Sequence, residues 1–141
     1  MPSSTASNYQ HNKFLALLLN NTAYTPPATL YVALFTTVPA LDATGGVEVS
    51  TSSTGYGRQS IAAGAWTGPT GVNQEYSNTN EITYGSPTAS WGTIVGAGLY
   101  DASTGGNLLY VSTLTTPKPV ASGDGAPRIL AGQLRISRAT C

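Results

Sequence analysis

Charge is the first thing this chain has little of. Asp, Glu, Lys and Arg make up 9% of its 141 residues, where an ordinary soluble domain carries about 25%. Six basic and six acidic side chains cancel to a formal net charge of zero. So few cations cannot neutralise a run of phosphates, which argues against nucleic acid as a partner. Histidine and cysteine are almost missing, with one His (His11) and one Cys (Cys141). A lone cysteine excludes an intrachain disulfide, and the two residues together are too few donors for an ordinary zinc site. No apolar run approaches the ~20 residues a membrane helix needs. The longest spans residues 14–19, too short for a signal-peptide core and without an A-x-A site after it. No metal, cofactor or membrane partner is expected.

What the chain has in abundance is hydroxyl and glycine. Fourteen Ser, twenty Thr, 16 Gly and 9 Pro stand beside a 40% hydrophobic fraction. Enough apolar surface is present to build one core, and the punctuation between apolar runs is that of a strand-and-turn protein.

Residues 1–7 have almost no apolar surface and read as an N-terminal arm. Residues 8–20 carry the helix pattern. Ser7 or Asn8 can cap its start. Phe14, Leu17 and Leu18 fall at i, i+3, i+4, with Leu15 and Leu19 widening the stripe. Asn20 and Asn21 suit its end, and Pro26 and Pro27 forbid continuation.

Beyond Pro27 the periodicity becomes that of strands. Residues 30–35 place Leu30, Val32 and Leu34 on one face and Tyr31, Ala33 and Phe35 on the other, so both faces suit burial. Further strands are expected near 47–49, 58–63, 81–84, 92–100, 108–114 and 129–136. Residues 64–80, rich in Gly and Asn around Trp66, read as a loop. Pro117 and Pro119 read as the close of the sixth strand. The Gly-rich stretch 101–107 reads as a hairpin connection. The fold expected is mainly β: a single-domain antiparallel β-sandwich with one N-terminal helix, over residues 8–138, followed by a short tail at 139–141.

Signals of chemistry are weak. The acids Asp42, Glu48, Glu75, Glu81, Asp101 and Asp124 show no spacing that nominates the carboxylate pair of a glycosidase. His11 could serve as a base, but no Gly-x-Ser-x-Gly elbow accompanies it, and it reads as a solvated or interface residue of the helix. The Asp101-x-Ser103-x-Gly105-Gly106 run resembles the start of a calcium loop. Its twelfth position is Ser112, where such a loop wants a bidentate Glu, so the hairpin reading wins. Asn20-Asn21-Thr22 is a glycosylation sequon with no secretory context behind it. Cys141, downstream of Arg135 and Arg138, reads as a terminal thiol of no consequence. Trp91 is expected in the core. Trp66 suits either the core or a surface platform for sugars or protein.

Three blocks carry a family resemblance. The first is Leu30-Tyr31-Val32-Ala33-Leu34-Phe35-Thr36-Thr37-Val38-Pro39. The second is Gly55-Tyr56-Gly57-Arg58. The third is Ser90-Trp91-Gly92-Thr93 with Gly98-Leu99-Tyr100-Asp101-Ala102-Ser103-Thr104-Gly105-Gly106-Asn107-Leu108-Leu109-Tyr110 and then Leu114-Thr115-Thr116-Pro117-Lys118. The chain resembles a family of small tailed-phage structural proteins, commonly labelled tail fibre proteins. The resemblance implies a virion protein without enzyme activity. It also implies, among small β-rich phage proteins of this size, a homotrimeric capsid decoration (cement) protein that bridges neighbouring major capsid protein subunits. The expected location is therefore the capsid surface, with the tail as the alternative. The chain has no repeats or heptads of the sort that build a fibre shaft. Expected contact residues are Met1, Pro2, His11, Trp66, Arg135 and Arg138, the two arginines facing acidic shell residues. The alternative function is a tail-fibre or tail-tip module that holds host glycans through Trp66.

Overall fold

The fold is that of a computed structural model describing residues 4–137. Its backbone is set by strand β2 (Thr29–Thr37), whose alternation buries both faces as expected. One edge of β2 pairs antiparallel with β8 (Gly92–Tyr100), and β8 pairs with β9 (Leu108–Val120). The short β1 (Thr5–Ala6) adds to the outer edge of β9. The other edge of β2 is shared. β4 (Gln59–Ala62) covers residues 29–32, and β3 (Val47–Glu48) covers residues 35–37. Together these form a six-stranded sheet. Two smaller sheets lie apart from it. One joins β7 (Ile82–Thr83) to β10 (Arg128–Ile129); the other joins β5 (Trp66–Thr70), β6 (Glu75–Asn78) and β11 (Arg135–Ile136). The result is a mainly β, antiparallel sandwich with one N-terminal helix, as the sequence pattern implied.

The main core lies between these layers. Val32, Leu34, Ile94, Ala97, Leu99, Leu109 and Val120 come from the large sheet, Ile82 and Ile129 from a small one, and Leu134 from the turn just before β11. At its centre stand Tyr56, Tyr84 and Trp91. The Tyr56 and Tyr84 rings stack at 6.0 Å, and Trp91 meets Tyr56 edge-on at 5.3 Å. Their polar tips explain how a split sheet edge tolerates burial. Between β4 and β3, the Tyr84 hydroxyl donates to Val32 O at 3.0 Å and the Tyr56 hydroxyl accepts from Leu34 N–H at 2.9 Å. Two phenols thus take the place of strand neighbours, since an unpaired buried backbone group is costly. The Trp91 indole donates to Thr54 O at 2.8 Å.

A second, smaller core forms on the reverse face of the large sheet from Ala33, Phe35, Leu108 and Val111. Here Gly98 is obligatory for packing. A Cβ on it would sit 2.7 Å from Phe35 Cε2 and 3.1 Å from Leu108 Cδ1. The bare backbone of β8 is the surface on which the Phe35 ring lies.

Helix α1 (Asn8–Asn20) begins and ends where its caps dictate. Ser7 is extended, and its Oγ accepts from Gln10 N–H at 3.2 Å. Asn21 closes the helix in the left-handed conformation (φ 51°), with its N–H on Ala16 O. The residues before the helix do not project as an arm over their described length. Ser4 N–H donates to Arg135 O, Thr5 and Ala6 pair with β9, and the buried Ser7 hydroxyl donates to Leu108 O. Residues 1–3 and the tail at 139–141 lie outside the described residues.

Three strand expectations are corrected. Residues 64–80 are not a loop: β5 and β6 form a hairpin there. Its strands are largely exposed, so backbone pairing builds it without the apolar alternation that betrays a strand. Strand β9 does not close at Pro117. It runs to Val120, and among the described residues no strand pairs with its outer edge beyond β1, the kind of edge on which prolines are tolerated. The expected strand at 129–136 is two short strands split by a turn. The fully buried Asn78 causes the split: its Oδ1 accepts from Leu134 N–H, its Nδ2 donates to Leu130 O and Asn80 O, and its carbonyl accepts from Gly132 N–H.

Candidate functional site

The outstanding surface is the helix. Gln10 is the buried residue of α1. Leu18 and Leu19 are 79% and 72% exposed, and Phe14, Leu15 and Leu17 are each roughly 40% exposed or more. Side chains that the periodicity would place in a core therefore stand in solvent. The Phe14 ring meets Tyr24 edge-on at 6.4 Å, and the Tyr24 hydroxyl donates to Gln10 Oε1 at 3.3 Å. That pair anchors one flank of the helix to the segment that follows it. His11 lies exposed on the same helix, and Lys13 Nζ sits 5.3 Å from the Tyr9 ring centroid.

An apolar groove of about 410 Å³ opens between the second half of β9 and the turn that separates β10 from β11. Leu34 and Ile94 form its floor, Leu114 and Leu130 its walls, and Lys118 and Arg128 its rim. Arg128 faces Glu81 at 3.5 Å.

The remaining charged cluster is structural. The Arg58 side chain is 7% exposed and grips Glu48 with two bonds, Nε to Oε1 at 2.9 Å and Nη2 to Oε2 at 2.8 Å. Its Nη1 donates to Ala102 O and Gly105 O, and its guanidinium lies 3.7 Å over the Tyr100 ring. Burial disfavours the Arg58 charge, but the Glu48 hydrogen bond and charge outweigh it and hold its pKa above the ordinary value. Burial pushes the Tyr56 and Tyr84 hydroxyls far above the usual phenol range. Arg58 thus ties the loop at 101–107 to the β2–β3 edge, and Asp101 closes that loop from within by accepting from the Asn107 N–H and side-chain amide. The sequence contained Arg58 within a glycine-rich block but offered no sign of its role. A lone arginine among so few charges was the available signal.

The expected contact residues are scattered. Trp66 is partly buried and packs against the main core. Arg135 is half-exposed at the edge strand β11, with Nε on Gly132 O and Nη1 3.6 Å from Glu75 of its own chain. His11 is on α1, far along the chain from both. Met1, Pro2 and Arg138 lie outside the described residues. Among the described residues no group of three or more His, Cys, Asp or Glu is placed to hold a metal ion, and no helix is long and apolar enough to cross a membrane.

The described surface combines an exposed apolar helix, an apolar groove and few charges. Comparison with curated proteins finds no match. A family model does match, over residues 5–137, and its description is Podophage GP4 fiber I protein gp80.

Proposed function

The chain belongs to the Podophage GP4 fiber I protein gp80 family, a phage structural or fibre family whose place is the virion, and from that premise we propose that it is a non-enzymatic homotrimeric capsid decoration protein. In this role it bridges and stabilises neighbouring major capsid protein subunits. The observation that carries the reading is the open apolar groove beside the second half of β9 on a globular sandwich. Such a body clips onto other subunits through apolar surface, and several weak contacts per trimer raise the effective concentration of each. The described chain has no repeat from which a shaft would be built. A second reading, a tail-fibre or tail-tip module, is favoured by the family's own name.

Copy number per purified virion, measured by quantitative mass spectrometry against the major shell protein, separates the two. A count comparable with the shell protein places it on the capsid lattice. A handful of copies places it on the tail and removes the decoration reading. Attachment to shells is expected to change little with ionic strength, because few charge pairs exist to screen. Release of the protein by moderate salt would show that charge, not apolar contact, holds it.

A further inference from the structure

We propose that the C-terminal half of α1 is the self-association element of this protein, and that its partners are the same segments of two further copies packed around a shared axis. This rests on the homotrimer reading above and names the surface that makes the trimer.

Residues 14–19 read Phe-Leu-Ala-Leu-Leu-Leu. At 3.6 residues per turn, six consecutive apolar residues cover every side of a helix. A helix apolar on one stripe needs one covering surface, whereas a helix apolar all round belongs in an interior. In the protomer this segment has no interior. Among the described strands the helix packs mainly along β1 and β9, with Tyr24 on one flank, and Phe14, Leu15, Leu17, Leu18 and Leu19 remain substantially exposed. Taking aromatic and leucine side chains at the usual areas, these five leave roughly 500 Å² of apolar surface in water. That is at the upper end of what a monomer tolerates, and most of the ~800 Å² each partner gives to a standard interface.

The occupant follows from charge and geometry. The helix bears a single fixed charge, Lys13, one residue ahead of the apolar segment, and no acid. It therefore has no charge pattern by which a different protein could recognise it, and the net charge of zero leaves copies of the chain free to approach one another. In a two-fold pair each helix gains one neighbour, and its outer sides stay wet. Around a three-fold axis each helix is flanked by two neighbours and backed by its own sheet, so all sides are covered.

Sedimentation of the full chain across a wide concentration range tests this. The wild type is expected at three times the 14.5 kDa chain mass. Leu18→Glu and Leu19→Glu are each expected to sediment as single chains with an unchanged circular dichroism spectrum, since both side chains are already exposed in the protomer. Val72→Glu, at the most exposed large apolar residue of the distant β5–β6 hairpin, is expected to remain trimeric. A wild-type monomer, or a trimer that survives both helix variants, overturns the proposal. Binding of the same proteins to stripped shells separates this from the decoration reading. A wild-type monomer that still loads onto shells defeats the α1 trimer alone. A wild-type monomer whose loading is lost in Leu18→Glu makes the shell the occupant, which also overturns it. A trimer dispersed by Leu18→Glu that never loads supports α1 and defeats the decoration role.

Discussion

Removal of Arg58 is the perturbation whose consequence the structure defines most fully. Arg58→Ala deletes a bidentate ion pair to Glu48, two bonds to the carbonyls of Ala102 and Gly105, and the cation over Tyr100. These terms do not add. The Gly105 carbonyl is exposed and can be rehydrated, so it returns little. The cation–π contact is worth about 1 kcal/mol. The largest cost is Glu48, whose side chain is 26% exposed and keeps only the Tyr56 hydroxyl as a partner. Breaking one member of a buried pair costs about 3–5 kcal/mol. Because Glu48 retains some water, the expected loss lies near ~3 kcal/mol, a large part of a typical 5–15 kcal/mol stability. Arg58→Lys keeps the charge but not the fork, and is expected to lose about half as much. The assays are urea and thermal unfolding at neutral pH, followed by tryptophan fluorescence, with the melting temperature falling by roughly 10 °C in Arg58→Ala. Amide exchange in residues 101–107 should quicken in the same variant, since Arg58 pins that loop. Combined with Glu48→Gln, the double variant should lose less than the sum of the singles by about 2 kcal/mol. A loss below about 1 kcal/mol in Arg58→Ala would refute the reasoning, because that is the worth of a surface pair.

Two further predictions concern the cores. Gly98→Ala places a methyl group 2.7 Å from the Phe35 ring and is expected to cost about 1–3 kcal/mol by overpacking; the same unfolding assay should show part of that loss recovered when Phe35→Leu is added. Alkaline pH is expected to unfold the protein through Tyr56 and Tyr84, whose folded pKa values burial raises above the ordinary phenol value of 10.0. Their contribution is intact below pH 10 and falls as pH rises beyond it, because the unfolded chain releases both protons while the folded chain keeps them. Each then removes about 1.4 kcal/mol per pH unit. Urea midpoints measured on either side of pH 10 check this, and a flat profile above pH 10 would contradict it.

Legibility of the fold varied with the range of the interaction. The helix was readable to the residue because Ser7, Asn21 and the apolar spacing all act within one or two turns. Strands β2, β8 and the start of β9 were readable because they are buried and alternate. The β5–β6 hairpin was not, since exposed Thr, Gly and Pro carry no pattern. The division of residues 129–136 was not, since its cause is Asn78, more than fifty residues away. Of the expected contact residues, Trp66 packs against the core and Arg135 pairs within the chain, whereas the helix apolar residues, noted for their spacing, form the exposed surface. The role of Arg58 depends on partners at positions 48, 100, 102 and 105, two of which it meets through backbone carbonyls that any residue type provides.

Composition and local pattern were sufficient to imply a neutral, β-rich chain with one capped helix. They were sufficient because charge count, caps and periodicity are properties of neighbouring residues. Tertiary structure alone decided that the apolar helix lies outside the core, that two tyrosine hydroxyls complete the edge of β2, and that Gly98 is space for Phe35. Each of these turns on which distant segments meet, as when Thr5 pairs with Val111 or Arg128 with Thr83. Burial is a relation between surfaces, so it exists only once the chain has closed on itself.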